Sequence, residues 1–195
     1  MRVKICGITR PEDARFAEKA GACAIGVVVF SGGVSKRVVG EEKAREIFRS
    51  VGPFTTKVAV SHTKSKDELH RIIALRPHAI QISHPFRFDE DPGVAVIRVI
   101  GRGDPLPEDC AAIIIDDSHG KGRDYDLSYA CDAVQRSKIP VILAGGLNPA
   151  NVGEAIRNVR PYAVDVASGV EHSPGIKDYE KVRAFIAACG EVYHE

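Results

Sequence analysis

Apolar and polar positions alternate along this chain in blocks. Eight short, nearly all-apolar blocks read as strands, at residues 3–9, 23–30, 56–61, 79–83, 94–100, 111–116, 141–144 and 163–167. Between them, segments with amphipathic spacing read as helices at 11–19, 41–50, 66–75, 127–137, 150–159 and 178–189. Pro11 stands near the start of the first helix, where its missing N–H is not needed. Two connections, 84–93 and 101–109, are too short for a full helix, and the first is also strongly acidic.

Strands that are apolar on both faces belong to a parallel sheet covered on both sides. Eight of them joined by crossovers predict an α/β fold. The specific expectation is a closed (β/α)8 TIM barrel forming one domain over residues 1–195, with shortened fourth and fifth helical crossovers. An open doubly wound sheet is the alternative. The strand count favours the barrel, and the two reduced crossovers explain a chain that is short for it. In a barrel the chemistry gathers at the C-terminal ends of the strands, which narrows the search to a few residues.

Cys6 ends the first strand, directly before Gly7 and Thr9. Alternation places Lys4 and Cys6 on one face and Val3 and Ile5 on the other. A lysine beside a thiol lowers its pKa and supplies a thiolate. The other role open to such a cysteine is that of a small buried hydrophobe. Asp116 ends the run Ile113-Ile114-Ile115, where apolar surroundings raise a carboxylate's pKa and suit a general acid. Capping a helix or pairing with a cation is its alternative, and Asp117 competes with it for the capping role. Asp165, inside strand eight, either pairs with an inward Lys4 or contacts the substrate. Arg37, in the glycine-rich loop after strand two, suits a bidentate grip on a carboxylate. Glycine turns follow strands seven and eight, at Gly145-Gly146 and Ser168-Gly169. Backbone N–H groups there form a phosphate site in many barrels. The loop Gly120-Lys121-Gly122-Arg123 either adds donors to that end or is a solvated surface loop.

Composition removes several function classes. Basic and acidic residues number 27 and 26, well mixed, for a net charge of +1, so no broad basic surface for nucleic acid is expected. No run of 18 apolar residues or signal peptide is seen, and no membrane partner is expected. The five cysteines are scattered, with no C-x-x-C pair, and read as reduced thiols in a cytoplasm. His62, His84, His119 and His172 fall singly, without ligand spacing, so no metal is expected. No dinucleotide fingerprint is present. One Met, two Gln and three Asn make a depletion reported for hyperthermophile proteins, against which the five cysteines run.

The segment Lys4-Ile5-Cys6-Gly7-Ile8-Thr9 is similar to the N-terminal signature of the phosphoribosylanthranilate isomerase family, barrel enzymes of tryptophan biosynthesis. The stretches from Pro140 to Pro149 and from Arg160 to Glu171 resemble that family's seventh and eighth strands with their turns. The resemblance covers nearly the whole chain and points to a compact, archaeal-like or thermophile-like member. It implies Cys6 as general base, Asp116 as general acid and Arg37 on the anthranilate carboxylate. It implies a phosphate held by Gly145, Gly146, Ser168 and Gly169, with Gly122 from the loop after strand six. The implied reaction is the Amadori rearrangement of N-(5-phosphoribosyl)anthranilate to 1-(2-carboxyphenylamino)-1-deoxyribulose 5-phosphate. No cofactor is implied, because the protonated imine is itself the electron sink, and the only partner implied is this small phosphosugar-anthranilate. Three departures stand out. The family's Gln-x-His-Gly is here Gln81-Ile82-Ser83-His84, the glycine loop after strand six is short, and Ala167 stands where a second serine is common.

Rival readings keep the phosphate turns. The related isomerase of histidine biosynthesis would carry an aspartate where Cys6 stands. A pentose-phosphate epimerase would show metal-ligand histidines at strand ends. A non-catalytic phosphosugar-binding barrel would need the turns but not both Cys6 and Asp116.

Overall fold

The computed structural model describes residues 1–116 and 126–191. Eight parallel strands close on themselves in sequence order: β1 (Arg2–Ile5), β2 (Ala24–Val28), β3 (Thr56–Ser61), β4 (Ala79–Ile82), β5 (Ala95–Ile100), β6 (Ala112–Ile115), β7 (Val141–Leu143) and β8 (Ala163–Val166). β1 pairs with both β2 and β8, which shuts the barrel. The open sheet is thereby excluded.

Alternation along each strand divides the apolar residues into two layers. Val3, Ile5, Ala59, Ile113 and Ile115 belong to the layer shared with the helices, while Cys6, Val58, Val60 and Ile114 fill a second cluster with the other strand faces. Both strand faces are thus buried, and this is why the sequence shows continuous apolar runs there.

The outer helices are α1 (Pro11–Ala20), α2 (Glu41–Arg49), α3 (Lys66–Ile73), α4 (Leu127–Arg136), α5 (Val152–Val159) and α6 (Tyr179–Glu191). Local chemistry sets their ends. Ser65 Oγ accepts from Glu68 N at the start of α3, and Asp126 Oδ1 accepts from Tyr129 N at the start of α4. Residues 83–94 and 101–111 hold turns and bends and no helix. Arg98, buried on β5, holds the first of these connections by donating to the carbonyls of His84 and Phe86.

The strands are shorter than the apolar runs suggest. β1 stops at Ile5 rather than at residue 9, since Gly7 turns the chain with φ 72°. β2 stops at Val28 rather than at residue 30, before Phe30 at φ 50°. The residues beyond each strand become the mouth of the barrel. One element is absent from the sequence reading. After β8 the chain makes a single 3-10 turn, Ser168–Val170, and then a small antiparallel hairpin, β9 (Glu171–Ser173) with β10 (Ile176–Lys177). Asp178 then caps α6, its Oδ1 accepting from the N–H groups of Glu180 and Lys181.

Candidate active site

A pocket of about 480 Å³ opens at the C-terminal end of the barrel, and Cys6, Arg37, Asp116, Asp165 and Ser168 all line it. A smaller cavity of about 30 Å³ adjoins it, bounded by Gly145, Gly146, Asp116, Asp165 and Ser168. The structure therefore brings these candidates to one mouth, while Gly169 lines neither cavity. Gly122 and Asp117 lie outside the described residues.

Cys6 and Lys4 point into the barrel, as the alternation requires. Gly26 of β2 makes room for both: a Cβ there would stand 2.8 Å from Cys6 Sγ and 3.0 Å from Lys4 Nζ. Lys4 Nζ donates to Asp165 Oδ1 at 2.7 Å, joining neighbouring positions of β1 and β8. Burial alone would pull the Lys4 ammonium down, but Asp165 and Cys6 together outweigh it and hold Lys4 above its ordinary range. Asp165 is thus committed to Lys4 while also lining the pocket.

Lys4 pulls the Cys6 pKa down, as expected, but it does not prevail. Burial raises the thiol, Lys4 opposes it, Asp165 adds to the rise, and the net direction is upward. The Lys4 charge is already half-answered by Asp165, and a sulfur inside the barrel has little water to solvate a thiolate. A thiolate formed there is a stronger base than an ordinary one, and scarcer at neutral pH.

Arg37 reaches the mouth across Gly7. A Cβ on Gly7 would collide with the Arg37 Cδ, so the strand-ending glycine also clears the path of the arginine stem. The guanidinium is already engaged: Nε donates to Glu171 Oε1 at 2.8 Å and Nη2 to Glu171 Oε2 at 2.7 Å. Lys177 Nζ donates to the same Oε1 at 2.9 Å, and the N–H of Gly175 does so at 3.2 Å. The hairpin that carries Glu171 and Lys177 is tied down on its other side. Thr9 Oγ1 donates to the Gly175 carbonyl and the N–H of Lys177 to Asp13 Oδ2.

The two glycine turns touch each other. A Cβ on Gly169 would collide with the Leu147 carbonyl, so Gly169 is fixed by backbone packing between the turns rather than by space for an anion. Asn151 Nδ2 and Asn148 Nδ2 both donate to the Gly146 carbonyl, at 3.0 and 3.3 Å, which fixes the turn. None of the N–H groups of Gly145, Gly146 and Ser168 donates to a backbone carbonyl among the described residues.

Gln81 escaped the sequence reading as a site member. Gln81 lines the pocket almost fully buried, with no hydrogen-bond partner for its Oε1 among the described residues. The signal was a polar residue between Ile80 and Ile82, on the inward face of an apolar strand. His62 lines the pocket from the end of β3, its Nδ1 3.2 Å from Ser83 Oγ. The displaced His84 packs edge-on against Phe86, with ring centroids 4.6 Å apart, and does not line this pocket. Lys177 gave no signal, being one cation in a short polar stretch.

A thiol, a carboxyl group and an arginine around one barrel mouth, beside two glycine turns, are the equipment of a barrel isomerase that moves protons on a phosphorylated substrate. The family model for N-(5'phosphoribosyl)anthranilate (PRA) isomerase matches residues 105–188. A Methanoregula boonei protein of that name is 60% identical over 194 residues, covering 100% of this chain and 99% of its own length. The Thermus thermophilus phosphoribosyl anthranilate isomerase structure superposes with a TM-score of 0.87 at 36% identity, covering 98% of this chain and 100% of that one. Another such isomerase was solved with reduced 1-(o-carboxyphenylamino)-1-deoxyribulose 5-phosphate, and it superposes with a TM-score of 0.82 at 33% identity, covering 98% and 99%. The chain belongs to the phosphoribosylanthranilate isomerase family.

Proposed function

We propose that Cys6 and Asp116 divide the proton transfers of the family's reaction between them. That reaction is the isomerisation of N-(5'-phosphoribosyl)anthranilate in tryptophan biosynthesis, and it is this chain's activity. The observation that carries the assignment is the shared pocket: Cys6 and Asp116 line one mouth, with Arg37 beside Cys6 and the glycine turns beside Asp116.

Asp116 gives its proton to the furanose ring oxygen. The C1–O bond breaks, and the nitrogen lone pair forms the C1=N bond of a protonated imine. Cys6, as thiolate, takes the C2 proton. The C–H electrons become the C1=C2 bond and the C=N electrons return to nitrogen, giving an enolamine. Loss of the enol proton and protonation at C1 leave the ketone. The phosphate rests on the N–H groups of Gly145, Gly146 and Ser168, none of which donates to a backbone carbonyl among the described residues. Arg37 receives the anthranilate carboxylate. Asp165, held by Lys4, faces the sugar end of the same pocket. The substrate is therefore a small phosphosugar-anthranilate. Among the described residues no helix is long and apolar enough to cross a membrane, and we place the enzyme in the cytoplasm. Cys6 stands against the histidine-pathway isomerase reading, which expects an aspartate there.

The test is turnover by purified Cys6→Ala and Asp116→Asn, followed by the loss of substrate fluorescence. Each acid or base step typically contributes on the order of 10²–10⁴-fold, and each variant is expected to lose about that much kcat with its circular dichroism unchanged. Near-normal kcat in either removes that residue from the mechanism.

A further inference from the structure

From the clasp on Arg37 we infer that Glu171 and Lys177 are positioning residues that make Arg37 selective for an aryl amine carrying a carboxylate. The inference rests on the reading of Arg37 as the carboxylate clamp and assigns what makes the clamp work.

A guanidinium has five N–H hydrogens along two usable edges. Glu171 occupies the side edge, taking Nε–H with Oε1 and one Nη2–H with Oε2. Of the three remaining hydrogens, one on Nη1 and one on Nη2 form the end edge, turned away from Glu171. A second carboxylate can still be gripped bidentately there. Gly7 lies under the stem and Glu171 holds the head, so the arginine reaches the mouth in one fixed pose. A pre-placed clamp avoids the rotamer entropy that a free arginine would lose on binding.

Charge sets the second requirement. An Arg37–Glu171 pair alone is neutral and would attract a substrate carboxylate weakly. Lys177, 4% exposed, places a second cation on Glu171 Oε1 at 2.9 Å. Burial pulls Lys177 below its ordinary range, and Glu171 limits the fall. Arg37 and Lys177 together hold Glu171 below the ordinary carboxylate range, against burial. With all three ionised the cluster carries one net positive charge, and only Arg37 presents it to the pocket. Lys177 is also fixed by the Ala167 carbonyl at 3.1 Å, directly before the turn at Ser168. The hairpin thereby links the carboxylate end of the pocket to the phosphate end.

The experiment compares two ligands on four proteins by titration calorimetry. The ligands are reduced 1-(o-carboxyphenylamino)-1-deoxyribulose 5-phosphate and its phenylamino counterpart lacking the carboxyl group. The proteins are the native chain, E171Q, K177M and R37A. The native chain is expected to prefer the carboxylated ligand. R37A should lose roughly tenfold or more of affinity for that ligand, as expected for a hydrogen bond to a charged group, and little for the other. E171Q and K177M should show the same selective loss, and in turnover their KM should rise more than kcat falls. Equal losses on both ligands would make Glu171 and Lys177 merely structural and overturn the inference. Selectivity lost in R37A but kept in E171Q and K177M would overturn the inference and leave the clamp standing. Selectivity kept in R37A would overturn the clamp itself. If K177M does not fold, the isosteric E171Q decides alone.

Discussion

Cys6 is where two opposing forces act on one sulfur. Removal from water favours the thiol, and the Lys4 ammonium favours the thiolate; burial wins, and the pKa rises. The alternation of β1 made the Lys4–Cys6 face legible, because a strand has only two faces. The balance was not legible, since it depends on Asp165 answering Lys4 from a strand 161 residues away. We predict that Cys6 in the free enzyme is alkylated by iodoacetamide at a rate that climbs with pH through values above about 8.5, the ordinary thiol figure. The sign follows from the reacting species: the thiolate fraction grows as pH rises through the pKa, and a raised pKa moves that growth to higher pH. A rate already at its plateau at pH 7 would show that Lys4 wins. Other residue identities were readable for similar local reasons. Asp116 ends a strong apolar run and Arg37 lies in the loop that follows one, so their place at the mouth follows from the strands. Lys177 was hidden because the hairpin that aims it has strands of three and two residues, too short to show any period.

At the level of elements, the closure between β1 and β8 carries a buried ion pair. Lys4 and Asp165 are both nearly inaccessible, and their strands meet in register at that pair. Removing one partner leaves the other charged and buried, which typically costs about 3–5 kcal/mol. Lys4→Met is therefore expected to lower the unfolding free energy in urea by about that amount, and the double variant Lys4→Met/Asp165→Leu to recover most of it. A Lys4→Met protein as stable as the native chain would mean the pair contributes nothing to closure. The same scale corrects the view of the glycine turns. Their places after strands seven and eight were legible from chain order, but their contact was not. Gly169 is required because it packs on the Leu147 carbonyl, so a bulky residue there would disturb the junction of two turns before any anion entered. The strand ends were overextended in the sequence because apolar residues continue past the last ladder bond into the mouth: Cys6 and Ile8 are buried outside β1.

For the whole molecule, order along the chain was enough to give the architecture. Eight apolar runs joined by crossovers leave a parallel sheet with few options, and the closed barrel follows once β1 meets β8. The connections without helices are held by specific contacts such as Arg98 on the His84 and Phe86 carbonyls, which no periodicity announces. The barrel then does for function what no single segment can: it collects Cys6 from one end of the chain, Asp116 from the middle and Ser168 from the other end around one pocket. The central claim is that Asp116 opens the ring and Cys6 takes the C2 proton. The most direct test traps the imine between those steps. Substrate is mixed with each variant and cyanoborodeuteride, and the adduct is read by mass spectrometry for deuterium at C1. The account predicts that Cys6→Ala yields C1-deuterated adduct faster than the enzyme-free reaction, and that Asp116→Asn yields no excess over it. A Cys6→Ala protein that still delivers ketone product at the native rate, or an Asp116→Asn protein that forms the C1-labelled adduct as fast as Cys6→Ala, would contradict it.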